Sequence, residues 1–287
     1  MAQLLRPFME LIMLTTRDAI TNAQLNNYTP CIINKSSLAN AVAGQQFSLW
    51  RAATTPAQAA IPTTPALCTK ALLGSLQFPD KTAPETNYSS WASLTSSISA
   101  TTVEVHDRLV HTGALVLNVT TLQPITGLSL STLAPSAARL GSANYSTCQW
   151  YLDVYADGGA TASNATISVT YDDDSAGNLN VLAVGGTLRA GRKILLSSLI
   201  PAAKNGLNVK SITGVQLSAS TGTAGNFGFS CTVTKTAMPL NVANKTEVFE
   251  WSQIAAQFEN DACLELVTTC GSTSTGTLTG QFRLMHG

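Results

Sequence analysis

Alternation of apolar and polar residues is the clearest pattern in this chain, and it is strongest between residues 148 and 171. In the stretch CQWYLDVY, Trp150, Leu152 and Val154 fall on one side of an extended chain, and the residues between them fall on the other. A turn-forming Ala-Asp-Gly-Gly segment interrupts the pattern, which then resumes. Period-two alternation bounded by Gly and Asp is typical of half-buried antiparallel strands, so this segment predicts a β-hairpin.

Similar strand-like segments follow one another to the end of the chain. A Gly-rich turn at 271–276 separates the last two and predicts a closing hairpin, and one helix is predicted at 252–258. Short strands with turns between them predict an all-β fold, an antiparallel β-sandwich of jelly-roll-like form. The other strand-like segments are 102–109, 115–120, 127–130, 194–196, 209–218, 227–234, 262–268 and 277–284.

The first hundred residues carry a weaker pattern than the rest of the chain. Residues 1–30 are predicted to form an N-terminal arm with a short helix, because apolar residues recur there at helical spacing. Residues 31–100 are predicted to be a mixed, loop-rich region, since Pro, Ala, Ser and Thr interrupt every periodic stretch. The β-sandwich domain is then predicted to span residues 101–287.

Composition adds the expectation that other subunits cover part of the surface. Charged residues make up 11% of the chain, hydrophobic residues make up 45%, and the formal net charge is zero. Soluble domains usually carry about 25% charged residues, and charge keeps free monomers dispersed. The alternative is a monomer that its abundant Ser, Thr and Asn keep in solution.

The charge balance also bears on nucleic acid and membrane as partners. Nucleic-acid binding needs a basic stripe, and the only tight basic cluster here, residues 189–193, is interpreted as a solvated loop. The apolar run at the N-terminus is too short to span a bilayer and lacks a signal-peptide cleavage pattern. The sequence therefore predicts neither a nucleic-acid nor a membrane partner.

The six cysteines are expected to be free, buried thiols. None belongs to a Cys-x-x-Cys pair, and no histidine lies near one at metal-ligand spacing. Cys148, Cys231 and Cys263 sit inside apolar strand-like segments. Buried thiols suit assembly in a reducing cytoplasm, and the sequence predicts no metal site and no cofactor.

His106, Asp107 and His111 are the residues that most suggest catalysis. In a strand, positions 106 and 107 face opposite sides of the sheet, so they cannot form an imidazole–carboxylate pair directly. The third histidine, His286, is penultimate and expected at a mobile end. Because a reaction needs converging groups, no catalytic residue is assigned and no enzyme activity is expected.

The run Asp172-Asp173-Asp174 resembles a fragment of a calcium loop. It lacks the downstream bidentate Glu and the alternating ligand spacing of such a loop. Asp and Gly commonly build turns, so a hairpin turn is the preferred interpretation.

Two further sets of residues suit carbohydrate chemistry. Paired carboxylates cleave glycosidic bonds, but the spacing of the candidates selects no two of them. Tryptophans stack on sugars, although single tryptophans in strands are more often core or interface anchors. The carboxylates are Asp80, Glu85, Asp153 and Glu265, and the tryptophans are Trp50, Trp91, Trp150 and Trp251.

Two segments resemble a group of tailed-bacteriophage virion proteins. Residues 150–166, WYLDVYADGGATASNAT, are similar to the group's WLEVYTATGATA segment. Residues 207–228, which contain SITGVQLSASTGTAGNFG, are similar to its SVTLSASTGTAGNFGV segment. Shorter similarities at 47–51, 106–109 and 275–281 extend the resemblance over most of residues 45–287. The first 30 residues have no counterpart in the group, and its Tyr-Thr-Asn turn is replaced here by Tyr171 and the three aspartates.

The resemblance implies a structural protein of a tailed-phage virion, and it brings no catalytic motif with it. The form we expect is a head decoration protein that clamps major capsid subunits and is itself a homo-oligomer. Its location would be the virion, after assembly in the host bacterial cytoplasm. The alternatives are a neck, collar or tail component, or a virion protein that binds host-surface carbohydrate, for which an exposed Trp91 or Trp150 is the indication.

Overall fold

The computed structural model describes residues 16–83, 85–186 and 188–287. These residues form antiparallel sheets with a few short helices, so the prediction of an all-β antiparallel fold is confirmed. In chain order the strands are β1 (Tyr28–Lys35), β2 (Gln46–Ser48), β3 (Thr54–Thr55), β4 (Ala66–Leu67), β5 (Asn87–Ser96), β6 (Thr101–Leu115), β7 (Gln123–Pro124), β8 (Gln149–Ala156), β9 (Ser163–Tyr171), β10 (Ala176–Asn178), β11 (Leu182–Val184), β12 (Arg192–Leu195), β13 (Val209–Leu217), β14 (Asn226–Leu240), β15 (Thr246–Glu250), β16 (Gln257–Phe258), β17 (Leu264–Thr269) and β18 (Leu278–His286).

Among the described residues, four α-helices and three 3-10 turns join these strands. Only the first helix exceeds one turn, and Thr16 caps it by accepting a hydrogen bond from the backbone N–H of Ala19. The helices are α1 (Arg17–Asn26), α2 (Leu130–Leu133), α3 (Ala137–Leu140) and α4 (Trp251–Ile254), and the 3-10 turns are Leu49–Arg51, Ser197–Leu199 and Ala202–Lys204.

The centre of the molecule is a closed barrel of six strands, in the order β14-β8-β12-β2-β17-β6. It closes because β6 and β14, each 15 residues long, pair with one another as well as with their other neighbours. Strand β4 pairs with residues 110–111 of β6, beyond the part of β6 that pairs with β17. A closed barrel leaves no sheet edge in its ring, and its inward side chains are enclosed by backbone on every side.

An apolar core lies between one wall of the barrel and a five-stranded sheet made of β10, β9, β13, β7 and β11. The residues that alternate on β8, Trp150, Leu152 and Val154, face this core together with Phe227 and Phe229 of β14. The indole Nε1 of Trp150 also donates to the backbone oxygen of Val209 at 2.8 Å, which ties the barrel to β13.

A second apolar core lies between the opposite barrel wall and a six-stranded sheet. That sheet has the order β15-β5-β18-β1-β3, with β16 added along β5. Val105 of β6 and Leu266 of β17 pack here against Leu94 of β5 and Phe282 of β18. The fold is therefore three layers, sheet–barrel–sheet, rather than the predicted two-sheet sandwich. The difference arises because the β6–β14 pairing closes the central sheet on itself.

Both predicted hairpins are wrong, although their strands exist. Strand β8 lies in the barrel while β9 lies in the five-stranded sheet, and β17 lies in the barrel while β18 lies in the six-stranded sheet. The connecting turns therefore cross between layers, which stack about 10 Å apart, instead of joining paired neighbours.

Three local predictions also need correction. The segment after Leu115 leaves the sheet, and residue 130 begins α2 rather than ending a strand. The predicted helix at 252–258 ends at Ile254, after which Gln257–Phe258 forms β16.

The three predicted regions share these sheets. Strands β1 and β5, from the region 31–100, pair with β18, and β2 of the same region pairs with β12 and β17. Of the predicted arm 1–30, residues 1–15 lie outside the described residues, and the remainder forms α1 and the start of β1.

Candidate functional site

The barrel interior carries the densest group of charged side chains in the described structure. On each strand the side chains that alternate with the apolar core residues point into the barrel, and many of these are polar. On β8 this places Asp153 inside the ring, opposite Lys193 of β12 and Glu265 of β17. These groups are almost completely buried, so each needs a charged partner within the barrel.

Arg108 of β6 is the first of two buried cations that meet both carboxylates. Its terminal nitrogens lie 3.1 Å from the carboxylate oxygens of Glu265 and 2.7 Å from Oδ2 of Asp153. It also donates to the hydroxyl of Tyr155 at 2.8 Å, and its guanidinium lies 4.9 Å from the ring of Trp50. Arg108 is thus held by ion pairs, a hydrogen bond and an aromatic ring.

Lys193 is the second buried cation, and its position corrects the interpretation of residues 189–193 as a solvated loop. Its Nζ lies 3.3 Å from Asp153, 3.2 Å from Glu265 and 3.1 Å from the hydroxyl of Ser230. The ring of Tyr151 lies 4.6 Å away. Two cations and two carboxylates therefore balance inside the barrel, while Arg189 at the start of the segment forms an exposed ion pair with Asp157.

Neighbouring charges keep the carboxylate of Glu265 ionised. Burial alone raises the pKa of Glu265, but Arg108, Lys193 and a hydrogen bond from Ser48 outweigh it and leave the pKa well below its usual value. Burial raises the pKa of Tyr155 well above its usual value. At neutral pH Glu265 is therefore a carboxylate that can pair with both cations, and Tyr155 is a neutral phenol that accepts a hydrogen bond from Arg108.

His106 and Asp107 face opposite sides of β6, as predicted from their adjacent positions. The ring of His106 hydrogen-bonds Glu104 at 2.7 Å and Thr232 at 3.0 Å. Asp107 instead binds Arg139 of α3, with Oδ1 lying 2.7 Å from Nη2 and Oδ2 lying 3.0 Å from Nε. Each residue of the suspected dyad thus has a different partner.

Arg139 is a buried residue that the sequence did not single out. Besides Asp107, it donates to the backbone oxygens of Cys68 at 2.8 Å and Arg108 at 2.9 Å, and it lies 3.3 Å from Asp261. It therefore fastens the α3 segment and β4 to the barrel wall. The only signal for it in the sequence is Ser136, a helix-capping residue, because a helix that begins after Ser136 contains Arg139.

His111 and Cys68 meet beside a cavity of about 290 Å³ that is lined mainly by Trp50, Pro62, Leu72, Leu73 and His111. Burial raises the pKa of Cys68, but hydrogen bonds from Cys263 and His111 and the charge of Arg108 lower it to about 5. Nδ1 of His111 already accepts a hydrogen bond from Nε of Arg108 at 3.2 Å. Cys68 is fully buried and does not line the cavity.

The cysteine prediction is confirmed, since all six thiols are free and buried. The aspartate run also forms the predicted turn, because it links β9 to β10, and Asp173 accepts a hydrogen bond from the backbone N–H of Ser175 at 2.9 Å. Across the described ranges, no three His, Cys, Asp or Glu side chains converge as metal ligands. No helix in those ranges is long and apolar enough to cross a bilayer.

The structure does not bring the candidate residues for carbohydrate chemistry together in one site. Asp153 and Glu265 are brought together, but Arg108 and Lys193 stand between them where a glycosidase would hold substrate or water. Asp80 pairs with Lys70 at the surface. The tryptophans divide in the same way: Trp50 and Trp150 are buried, Trp91 is half-buried, and Trp251 is exposed.

His286 was expected at a mobile end because it is the penultimate residue. The structure instead buries it in β18. Nδ1 donates to the side-chain oxygen of Asn87 at 2.9 Å, since that oxygen can only accept, and Nε2 lies 2.8 Å from the hydroxyl of Thr29. Burial, together with the charge of Lys81, lowers the pKa of His286 from 6.5 to about 4.

We expect this histidine to make the protein less stable as the pH falls from about 6.5 to about 4. The folded pKa lies below the unfolded value, so within this window only the unfolded chain binds the extra proton. Binding that proton stabilises the unfolded chain relative to the folded one. Denaturant unfolding at a series of pH values should show this loss, and His286→Gln should flatten it. An identical pH slope in both proteins would contradict the assignment.

Comparison with known proteins adds little to this geometry. No family model matches the chain, and no curated protein matches it. A solved structure of the infectious bursal disease virus Gt strain aligns with 91% of this chain and 81% of its own, at 8% identity and a TM-score of 0.17. The subviral particle of VP2 from the same virus aligns over the same shares, at 9% identity and a TM-score of 0.15. Scores this low establish neither a shared fold nor a shared function.

Proposed function

We propose that this chain is a structural protein of a tailed-phage virion, specifically a capsid decoration protein that clamps neighbouring subunits. The observation that supports this most directly is where the chain keeps its charges. Few residues are charged, 11% of the chain, and at least seven of those are buried. They are Lys35, Asp107, Arg108, Arg139, Asp153, Lys193 and Glu265.

The surface that remains suits contact with other protein subunits. Its apolar side chains include Ile32 and Val248 on the six-stranded sheet, and Leu122 and Val181 beside the five-stranded sheet, all of them about half exposed. Stable interfaces bury roughly 1,200–2,000 Å² in total, and depletion of charge is what distinguishes their centres. A sparsely charged surface is therefore easier to bury against a neighbour than an ordinary soluble surface.

The polar interior of the barrel also supports this proposal. Its polar groups are already bound to one another, so they contribute to the rigidity of the molecule rather than to turnover of a substrate. A rigid subunit repeated over a shell gains avidity from many weak contacts. Its partners would be the major capsid protein, other virion proteins and further copies of itself. A neck, collar or tail component would use the same surface at lower copy number.

Residues 1–15 provide a test of how the subunit is held. We propose that this segment contributes to binding of neighbouring subunits, because its apolar residues are numerous. Deletion of residues 1–15 should lower occupancy on purified heads by about tenfold, since one of several linked contacts is lost.

Occupancy can be measured by gel densitometry of particles after separation from free protein. The melting temperature of the truncated chain should match that of the full chain, because α1 and the three layers remain. Full occupancy by the truncated chain would contradict a clamping role for this segment.

A further inference from the structure

A pocket at the surface of the six-stranded sheet has no role in the proposal above. It has a volume of about 320 Å³ and is lined by Gln24, Leu25, Ser90, Trp91, Glu250, Trp251 and Arg283. Glu250, Trp91 and Arg283 lie side by side on the adjacent strands β15, β5 and β18, at the same level of the sheet. Helices α1 and α4 supply the remaining walls, so five separate elements converge there.

In the part of the chain that the structure describes, Arg283 is a fixed cation without a carboxylate partner. Its guanidinium lies 4.4 Å from the ring of Trp91 and 4.5 Å from the ring of Tyr28, so an aromatic ring lies close to it on each of two neighbouring strands. Nε donates to the side-chain oxygen of Gln281 at 3.0 Å. Within residues 16–83, 85–186 and 188–287, no acidic side chain forms an ion pair with it.

This arrangement is suited to binding a carboxylate. A guanidinium has five N–H donors in a planar fork that matches a carboxylate in two parallel hydrogen bonds. Because the rings and Gln281 already hold the side chain in place, little conformational entropy is lost when a ligand binds. Arg108 and Arg139, in contrast, already use their forks on Glu265 and Asp107.

The other walls select for a ring that carries hydroxyl groups. Trp251 is 41% exposed, so its indole presents an apolar face to solvent at the pocket. The backbone N–H of Glu250 donates to Oε1 of Gln253 at 3.0 Å, and the Glu250 carboxylate has lone pairs for hydroxyl donors. The strands that carry Glu250 and Arg283 are separated by β5 and lie about 9.6 Å apart, a span that one sugar ring and its substituents can bridge.

We propose that this pocket binds an acidic sugar residue of a saccharide. The carboxylate of the sugar lies on Arg283, its ring stacks on Trp251, and a hydroxyl group donates to Glu250. The volume of the pocket is at the lower end of the range for ligand sites, which fits one sugar residue rather than a long oligosaccharide.

Saturation-transfer NMR with methyl β-D-glucuronide and methyl β-D-glucoside tests this, because the two ligands differ only in the carboxylate. We expect a dissociation constant of about 10 mM or below for the glucuronide, and one at least about tenfold higher for the glucoside. Arg283→Gln and Trp251→Ala should each weaken glucuronide binding by about tenfold or more. Leu122→Ala, which removes an exposed side chain outside the pocket lining, is the matched control and should leave binding unchanged.

Three results would overturn the proposal. The first is equal binding of the two sugars, and the second is glucuronide binding that both pocket variants keep. The third is binding of acetate as tight as that of the glucuronide, which would point to an acidic side chain of a neighbouring protein instead. Thermal melts of each variant separate loss of binding from loss of fold, since Trp251 is exposed and its removal leaves the core intact.

Discussion

Replacing Glu265 by Gln should lower the free energy of unfolding by about 3–5 kcal/mol, because it removes one charge from a balanced group of four inside the barrel. Arg108 and Lys193 would then share the single carboxylate of Asp153. An uncompensated buried cation cannot recover its hydration, and the Ser48 hydroxyl would also lose its ionised acceptor. The substitution keeps the shape of the side chain, so the change reports on charge rather than on packing.

Denaturant unfolding of the purified variant measures this effect directly. Asp80→Asn is the matched control, since it removes the carboxylate of an exposed ion pair with Lys70 and should change stability by no more than about 1 kcal/mol. A Glu265→Gln protein as stable as the Asp80→Asn protein would show that the barrel interior does not depend on its ion pairs.

Replacing Gly228 by Ala should destabilise the protein by about 3 kcal/mol or more, because it blocks the pairing that closes the barrel. Gly228 lies where β14 crosses a bulge in β6. A Cβ atom there would lie 2.0 Å from the backbone oxygen of Thr112 and 2.6 Å from the Cα of Gly113. Both obstacles are backbone atoms, so the two strands would have to separate.

Gly214→Ala is the matched control for this second effect. It also places a methyl group on a strand, but its nearest neighbours are Cδ1 of the exposed Leu122 at 3.2 Å, which can move, and the backbone oxygen of Gln123 at 3.3 Å, much farther than the 2.0 Å contact at Gly228. Thermal and denaturant unfolding should therefore show a small change for Gly214→Ala and a large one for Gly228→Ala. Similar losses in the two proteins would mean that the β6–β14 contact is not what closes the fold.

The alternation of apolar and polar residues correctly predicted which side chains share a face of a strand. It did not predict which strands pair with one another. Trp150, Leu152 and Val154 form one face of β8, as their spacing indicates, and Tyr151 and Asp153 form the other. A period of two reports which side chains share a face, but it carries no information about which strand lies alongside. Both hairpins were therefore assigned to neighbours in sequence, whereas the chain moves to another layer after each turn.

The candidate site was the least predictable part. The sequence offers Asp153 and Glu265 as two of four unselected carboxylates, because the 111 positions between them conceal that both point into one barrel. Lys193 sits in a basic pentapeptide that is typical of a solvated loop. The alternation of Tyr151, Asp153 and Tyr155 on one face was the available signal, since a strand buried on both sides must supply partners for its charged residue.

Only part of the pocket at Arg283 could be predicted from the sequence. Trp91 was named as an indication of sugar binding, and the structure places it in the pocket lining. The other indication, Trp150, is buried in the core and donates to Val209. Nothing in the spacing of Trp91, Glu250 and Arg283 shows that three strands bring them level, since that register depends on pairing across the sheet.

Cryo-electron microscopy of the assembled particle tests the proposed virion role most directly. The prediction is density for the three-layer fold, with its closed six-stranded barrel, repeated on the capsid lattice and in contact with the major capsid protein. Density for this fold only at the portal vertex or the tail, or its absence from the purified particle, would contradict a decoration role.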